Sequence, residues 1–99
     1  MEPVFVYGNL MEAQVQQKAF GRVVESKFDT LFDYKKGEAH KNGNTLFSVF
    51  PARGHSVHGF VLYLSPEEMA YLDKNLASYS RIKIILPNGK GAWTYVVQG

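Results

Sequence analysis

The chain contains no cysteine, so disulfide bonds, thiolate metal ligands and cysteine nucleophiles are all excluded. Lysine and arginine form no long run, and a net charge of +2 does not suggest the clustered basic surface that nucleic-acid binding requires. The longest apolar segments are far shorter than the roughly 20 residues that cross a membrane. We therefore expect neither a nucleic acid nor a membrane as a partner.

The N-terminal residues lack the pattern of a secretory signal. Glu2 stands where a positive charge is usual, and the apolar run at residues 4–7 is too short for the hydrophobic region of a signal. These features predict a soluble, cytoplasmic protein. With 99 residues, of which 45% are hydrophobic, the chain can bury one core, and we predict a single domain over residues 1–99.

Two segments carry the signals of short helices. The first runs from Glu12 to Phe20 and ends at Gly21, a residue that favours the left-handed conformation of a helix C-terminus. The second begins after Ser65, where a capping serine is followed by a proline and by Glu68 three positions later. The predicted inward positions of the two helices are Val15, Ala19, Phe20, Met69, Leu72 and Leu76.

Most of the remaining chain consists of apolar and β-branched runs that predict strands. The polar segment between them, Lys35 to Asn44, is predicted to be a mobile loop, with Lys35 and Lys36 in solvent. Because two helices cannot cover both faces of so large a sheet, we predict an α+β fold, with a mixed, mostly antiparallel sheet or small barrel. The predicted strands lie at residues 4–7, 30–34, 45–50, 57–64, 81–86 and 92–97.

Conventional catalytic and metal motifs are lacking. His55 and His58 are three residues apart at the start of a predicted strand, where they would point to opposite faces, a poor arrangement for two ligands of one metal. Glu67 and Glu68 are explained by the helix N-terminus, where negative charge is favoured. We therefore expect no metal and no cofactor, and place His40 and the other two histidines at the surface.

The segment Tyr7-Gly8-Asn9-Leu10 is the strongest candidate for a binding site. Gly8 allows the backbone to approach a ligand closely, and Asn9 tolerates left-handed geometry. Consecutive backbone N–H groups in such a loop could surround an anion. The alternative is an ordinary turn between a strand and a helix.

Several segments together resemble the γ-glutamylcyclotransferase-like (AIG2-like) family over nearly the whole chain. The family's Y-G-[ST]-L segment is similar to Tyr7–Leu10, and its V-x-G-x-x-x-x-L-[ST]-x-E-E segment to residues 57–68. Its L-D-x-x-E-G-x-x-Y-x-R segment is similar to residues 72–81, and its final A-x-x-Y-V strand to residues 92–96. The resemblance implies the family's fold.

The resemblance also implies that the family's catalytic acid is missing. Leu76 stands where the family has the glutamate that moves a proton while the substrate amine attacks the γ-carbonyl and 5-oxoproline forms. General acid–base catalysis is worth about 10²–10⁴-fold, so we predict no catalytic residue and little family activity. The resemblance places ligand binding at Tyr7, Gly8, Asn9, Leu10 and Tyr79.

Three functions fit this combination. The preferred interpretation is a non-catalytic protein that senses or sequesters a small, anionic molecule. One alternative is an enzyme that still releases 5-oxoproline with a substitute proton donor, and another is a subunit that uses this surface for a protein partner. The sequence favours no particular oligomeric state.

Overall fold

The structure is a computed structural model that describes residues 1–97. Five strands and two α-helices lie in this range, together with a single 3₁₀ turn at Asn9–Met11. In chain order they are β1 (Glu2–Val6), α1 (Ala13–Phe20), β2 (Ser26–Lys41), β3 (Asn44–Leu64), α2 (Pro66–Asn75), β4 (Tyr79–Ile85) and β5 (Gly91–Val97).

The strands form one mixed sheet in the order β2-β3-β1-β5-β4. β1 and β5 pair in parallel, and the other neighbouring pairs are antiparallel. The sheet curls into a half-barrel whose edges are β2 and β4. The predicted α+β class, with a mostly antiparallel sheet and two short helices, is therefore confirmed.

Apolar side chains fill both faces of the sheet. Alternation along β1 sends Val4 and Val6 toward the helices, and Phe5 and Tyr7 into the cluster on the opposite face. The helix-side cluster includes Met69 and Leu72 of α2, both buried as predicted. The opposite cluster is built from strand and turn residues, so the curl of the sheet encloses the face that two helices could not cover.

The segment predicted to be a mobile loop is instead the end of a hairpin, so that expectation was wrong. Lys41 pairs with Asn44, and the turn between them is made by Asn42 and Gly43, which have positive φ angles of 52° and 78°. Asn-Gly with both residues in this region is a tight hairpin turn that suits the twist of the flanking strands. We call residues 34–51 the distal hairpin, since β2 and β3 pair there continuously from Tyr34↔Pro51 to the turn.

Both helices are short and have the predicted ends. Gly21 adopts a φ of 73° after α1, and its amide donates to the Gln17 carbonyl at 2.9 Å. At α2, Ser65 Oγ accepts from the Glu68 amide at 3.2 Å, while the Glu68 carboxylate accepts from the Ser65 amide at 2.9 Å. Neither helix in the described residues is long and apolar enough to cross a membrane.

The Glu68 carboxylate also binds the Arg22 guanidinium in a two-pronged ion pair with N–O distances of 2.8 Å. The Arg22 hydrogen bond is the main reason that the pKa of Glu68 falls from 4.5 to about 2. Because the folded-state pKa is depressed, this contribution to stability is complete above about pH 4.5 and disappears as the pH falls toward 2.

Replacing Glu68 by Gln should therefore lower the melting temperature at pH 7 more than at pH 2. The measurement is a series of thermal melts from pH 2 to pH 7. Glu67→Gln is the matched control, because Glu67 is exposed and lies one position earlier in the helix. If both variants shifted the melting temperature equally at every pH, the ion pair would not explain the acid sensitivity.

Candidate functional site

A cavity of about 400 Å³ opens where β1 ends, between the following loop, the distal hairpin and the end of α2. It contains the five predicted ligand-binding residues and also Leu76. The full lining consists of Phe5, Val6, Tyr7, Gly8, Asn9, Leu10, Lys36, Thr45, Leu46, Phe47, Leu76, Tyr79 and Tyr95.

The loop of residues 8–10 has free backbone donors. The Gly8 and Asn9 carbonyls accept from the amides of Met11 and Glu12, both at 3.0 Å. In the part of the chain that the structure describes, by contrast, the amides of Gly8, Asn9 and Leu10 donate no hydrogen bond. They are thus available to a ligand beside the cavity, and binding at this loop stays a prediction.

A buried glutamine, which the sequence did not single out, fixes the loop to the helix. Gln16 is 2% exposed, whereas the predicted inward residues of α1 are only half-buried. Its Nε2 donates to the Leu10 carbonyl at 2.8 Å, and its Oε1 accepts from the Val24 amide at 3.0 Å. The side chain therefore satisfies two backbone groups and holds the loop in place.

Three tyrosines form one wall of the cavity. The Tyr7 hydroxyl donates to the backbone carbonyl of Tyr95, and the Tyr79 hydroxyl donates to the Phe47 carbonyl at 2.7 Å. Burial raises the pKa of Tyr7 and of Tyr79, and the neighbouring Tyr79 raises that of Tyr7 further. At neutral pH both phenols therefore keep their protons and hold the strands together through these hydrogen bonds. Because they stay protonated, they are poor bases.

Tyr95 connects the cavity to the outer surface of α2. Its hydroxyl donates to Asp73 Oδ1 at 2.7 Å, and Arg81 lies 3.3 Å from the other carboxylate oxygen. Burial, together with this bond to Asp73, raises the pKa of Tyr95. The sequence did not single out Asp73, because its partners Tyr95 and Arg81 come from β5 and β4.

Leu76 lies directly after α2 and is half-buried. Its side chain both lines the cavity and packs against the helix-side core. The sequence suggested a core position from the helical spacing and a cavity position from the family resemblance. The structure shows that Leu76 occupies both, because the cavity borders the helix-side core at this residue. No described lining residue is Asp or Glu.

Lys36 was predicted to be a solvent-exposed loop residue, which the structure contradicts in part. Although much of its side chain is exposed, its Nζ reaches the cavity and donates to the Tyr7 carbonyl at 2.9 Å. The Asn42-Gly43 pair was the available signal, because it indicates a hairpin whose alternating side chains would include Lys36 on one face.

The histidines lie elsewhere. His58 stacks on Phe28 with ring centroids 5.7 Å apart, and its Nδ1 is 3.1 Å from Thr30 Oγ1. Within residues 1–97, no three metal-ligating side chains come close enough together to hold a metal ion.

Comparison with known proteins gives one family for this sequence. Residues 4–99 match the family model described as gamma-glutamyl cyclotransferase, AIG2-like. None of the curated proteins compared with the chain matches it.

Several solved structures share the fold. A solution structure from Arabidopsis thaliana has a TM-score of 0.79 at 22% identity, and the match covers 97% of this chain and 61% of that one. A gamma-glutamyl cyclotransferase has a TM-score of 0.73 at 16% identity, covering 99% and 67%. The protein ytfP from Escherichia coli has a TM-score of 0.65 at 26% identity, covering 98% and 83%. The chain thus spans 61% of the length of the Arabidopsis structure.

Proposed function

The chain belongs to the gamma-glutamyl cyclotransferase, AIG2-like family, and from this premise we propose that it binds a small anionic molecule without catalysing the family reaction. The observation that carries the proposal is Leu76, an apolar residue that lines the same cavity as the loop of residues 8–10, where the family resemblance calls for a proton-transferring glutamate. The function would be to sense or sequester the ligand.

Binding is supported by the donors that surround the cavity. The amides of residues 8–10 are free, and Lys36, whose ammonium donates to the Tyr7 carbonyl, lines the same cavity. Hydrogen bonds from such donors to an anion are short and about twice as strong as those between neutral groups. A carboxylate, phosphate or sulfate therefore suits the loop.

Catalysis is not supported, because no lining group is suited to take the proton. Asp73 is the carboxylate that contacts the lining residue Tyr95, and it already accepts a hydrogen bond from the Tyr95 phenol and pairs with Arg81. The elevated pKa of Tyr95 keeps the proton on the phenol. An enzyme with a substitute donor would have to work through this pair, so Asp73→Asn would abolish its turnover.

We expect 5-oxoproline to bind and γ-glutamyl amines to be left intact. In a two-dimensional NMR titration, 5-oxoproline should shift the amide signals of residues 8–10 and leave that of His58, outside the cavity, unchanged. In a parallel assay, incubation with a γ-glutamyl amine should release no 5-oxoproline above the uncatalysed background. Turnover lost in Asp73→Asn would favour the enzyme, and the absence of any shift at residues 8–10 would rule out the binding site.

A further inference from the structure

Lys36 is the one charged side chain among the described residues that line the cavity. We propose that Lys36 makes the cavity selective for acids that carry no ammonium group, so that a cyclised or N-acylated acid binds in preference to an α-amino acid. This inference rests on the proposed function, because it assigns a ligand class to the same site.

The Lys36 ammonium is held in a defined place. Nζ donates to the Tyr7 carbonyl at 2.9 Å and lies 5.3 Å from the centre of the Phe47 ring. Since an ammonium has three donors, two remain for a ligand in the cavity that Lys36 lines.

Strand geometry explains why this lysine, and not its neighbour, reaches the cavity. Lys36 pairs with Val49 and Lys35 with Phe50 in the distal hairpin, and successive side chains on a strand point to opposite faces. Lys36 is therefore directed to the cavity, whereas Lys35 is not among the residues that line it.

The same cavity has nothing to balance a second cation. No lining carboxylate is present among the described residues, and the three tyrosine hydroxyls are neutral. An ammonium group on the ligand would lose its water, meet only neutral oxygens and be repelled by Lys36. This desolvation and repulsion weaken the binding of α-amino acids, but not that of acids whose nitrogen belongs to an amide.

The apolar walls point to the same ligand class. Beyond the donors, the cavity is lined by Phe5, Leu46, Phe47 and Leu76, which suit uncharged ring or acyl atoms. A ligand with a carboxylate at one end and an uncharged amide or apolar group at the other would place each part against a matching surface.

Three compounds with related carbon skeletons separate these effects. 5-Oxoproline has the carboxylate and no ammonium, L-glutamine has both, and 5-oxoprolinamide has neither charge. By calorimetric or NMR titration, 5-oxoproline should bind the unaltered protein at least tenfold more tightly than either of the others, because one charge-assisted contact is worth that much.

Variants of the two lysines assign the effect to Lys36. Lys36→Met should weaken 5-oxoproline binding about tenfold or more and leave 5-oxoprolinamide binding unchanged, while Lys36→Arg should keep most of the preference. Lys35→Met is the matched control on the opposite face and should leave all three affinities unchanged. Thermal melts of each variant establish that it is folded.

The outcomes distinguish the two proposals. If none of the three compounds binds, the proposed function fails at this site and the selectivity fails with it. If 5-oxoproline binds but Lys36→Met retains its full affinity, or if L-glutamine binds as tightly, the assignment of Lys36 is wrong while the proposed function stands.

Discussion

Replacing Leu76 by Glu is expected to leave the protein folded and to raise 5-oxoproline release from γ-glutamyl amines by about 10²-fold or more. Residue 76 lines the same cavity as Lys36 and the loop of residues 8–10, so a carboxylate there would share the cavity with a cation and free amides. The partners should limit the loss of stability to about 1–3 kcal/mol, less than an isolated buried charge would cost. The new carboxylate would also accept the ligand ammonium that the present cavity excludes.

The experiment is a thermal melt and a 5-oxoproline assay on Leu76→Glu, with Leu76→Gln as the matched control. Glutamine has nearly the same shape but cannot transfer the proton, so it should fold without gaining turnover. A glutamate variant that does not fold would mean that position 76 serves only the core. A variant that folds but stays inactive would mean that the cavity has diverged for another ligand.

Replacing Gly59 by Ala is expected to destabilise the fold by roughly 3 kcal/mol, toward the upper end for overpacking, which corresponds to about 12–24 °C in melting temperature. A Cβ at this position would lie 2.2 Å from the Val6 carbonyl oxygen and 2.8 Å from the Phe5 ring. Neither neighbour can yield easily, because Val6 belongs to the sheet backbone and Phe5 is 1% exposed. β1 would have to shift, and the loop of residues 8–10 follows directly after it.

Gly91→Ala provides the control for Gly59→Ala. It also places a Cβ on a strand glycine, but the nearest atom is the flexible Lys83 side chain at 3.5 Å, so its melting temperature should change little. Equal shifts in the two variants would show that the loss comes from the general effect of alanine at a strand glycine and not from the contact between β3 and β1.

Local signals in the sequence predicted the parts of the fold that depend on neighbouring residues. The Ser65–Glu68 cap and the Gly21 terminus are set by a few adjacent side chains, and both were predicted correctly. The polar character of residues 35–44 is typical of a loop and does not predict the distal hairpin, whose signal in the sequence is the Asn42-Gly43 turn. A polar composition indicates that a segment is exposed to solvent, but an exposed segment can still be a paired strand.

The sequence by itself determined the fold class, the helix caps and the family, and it identified the loop at residues 7–10. These properties follow from the order of residues along the chain and from short-range geometry. Only the tertiary structure brought Lys36, Phe47 and Tyr95 to that loop, because strands far apart in sequence meet when the sheet curls. Among its described residues, the cavity contains one cation and no carboxylate. This composition depends on which side chains the sheet directs inward, which is set by strand pairing and register and is not encoded by any local pattern.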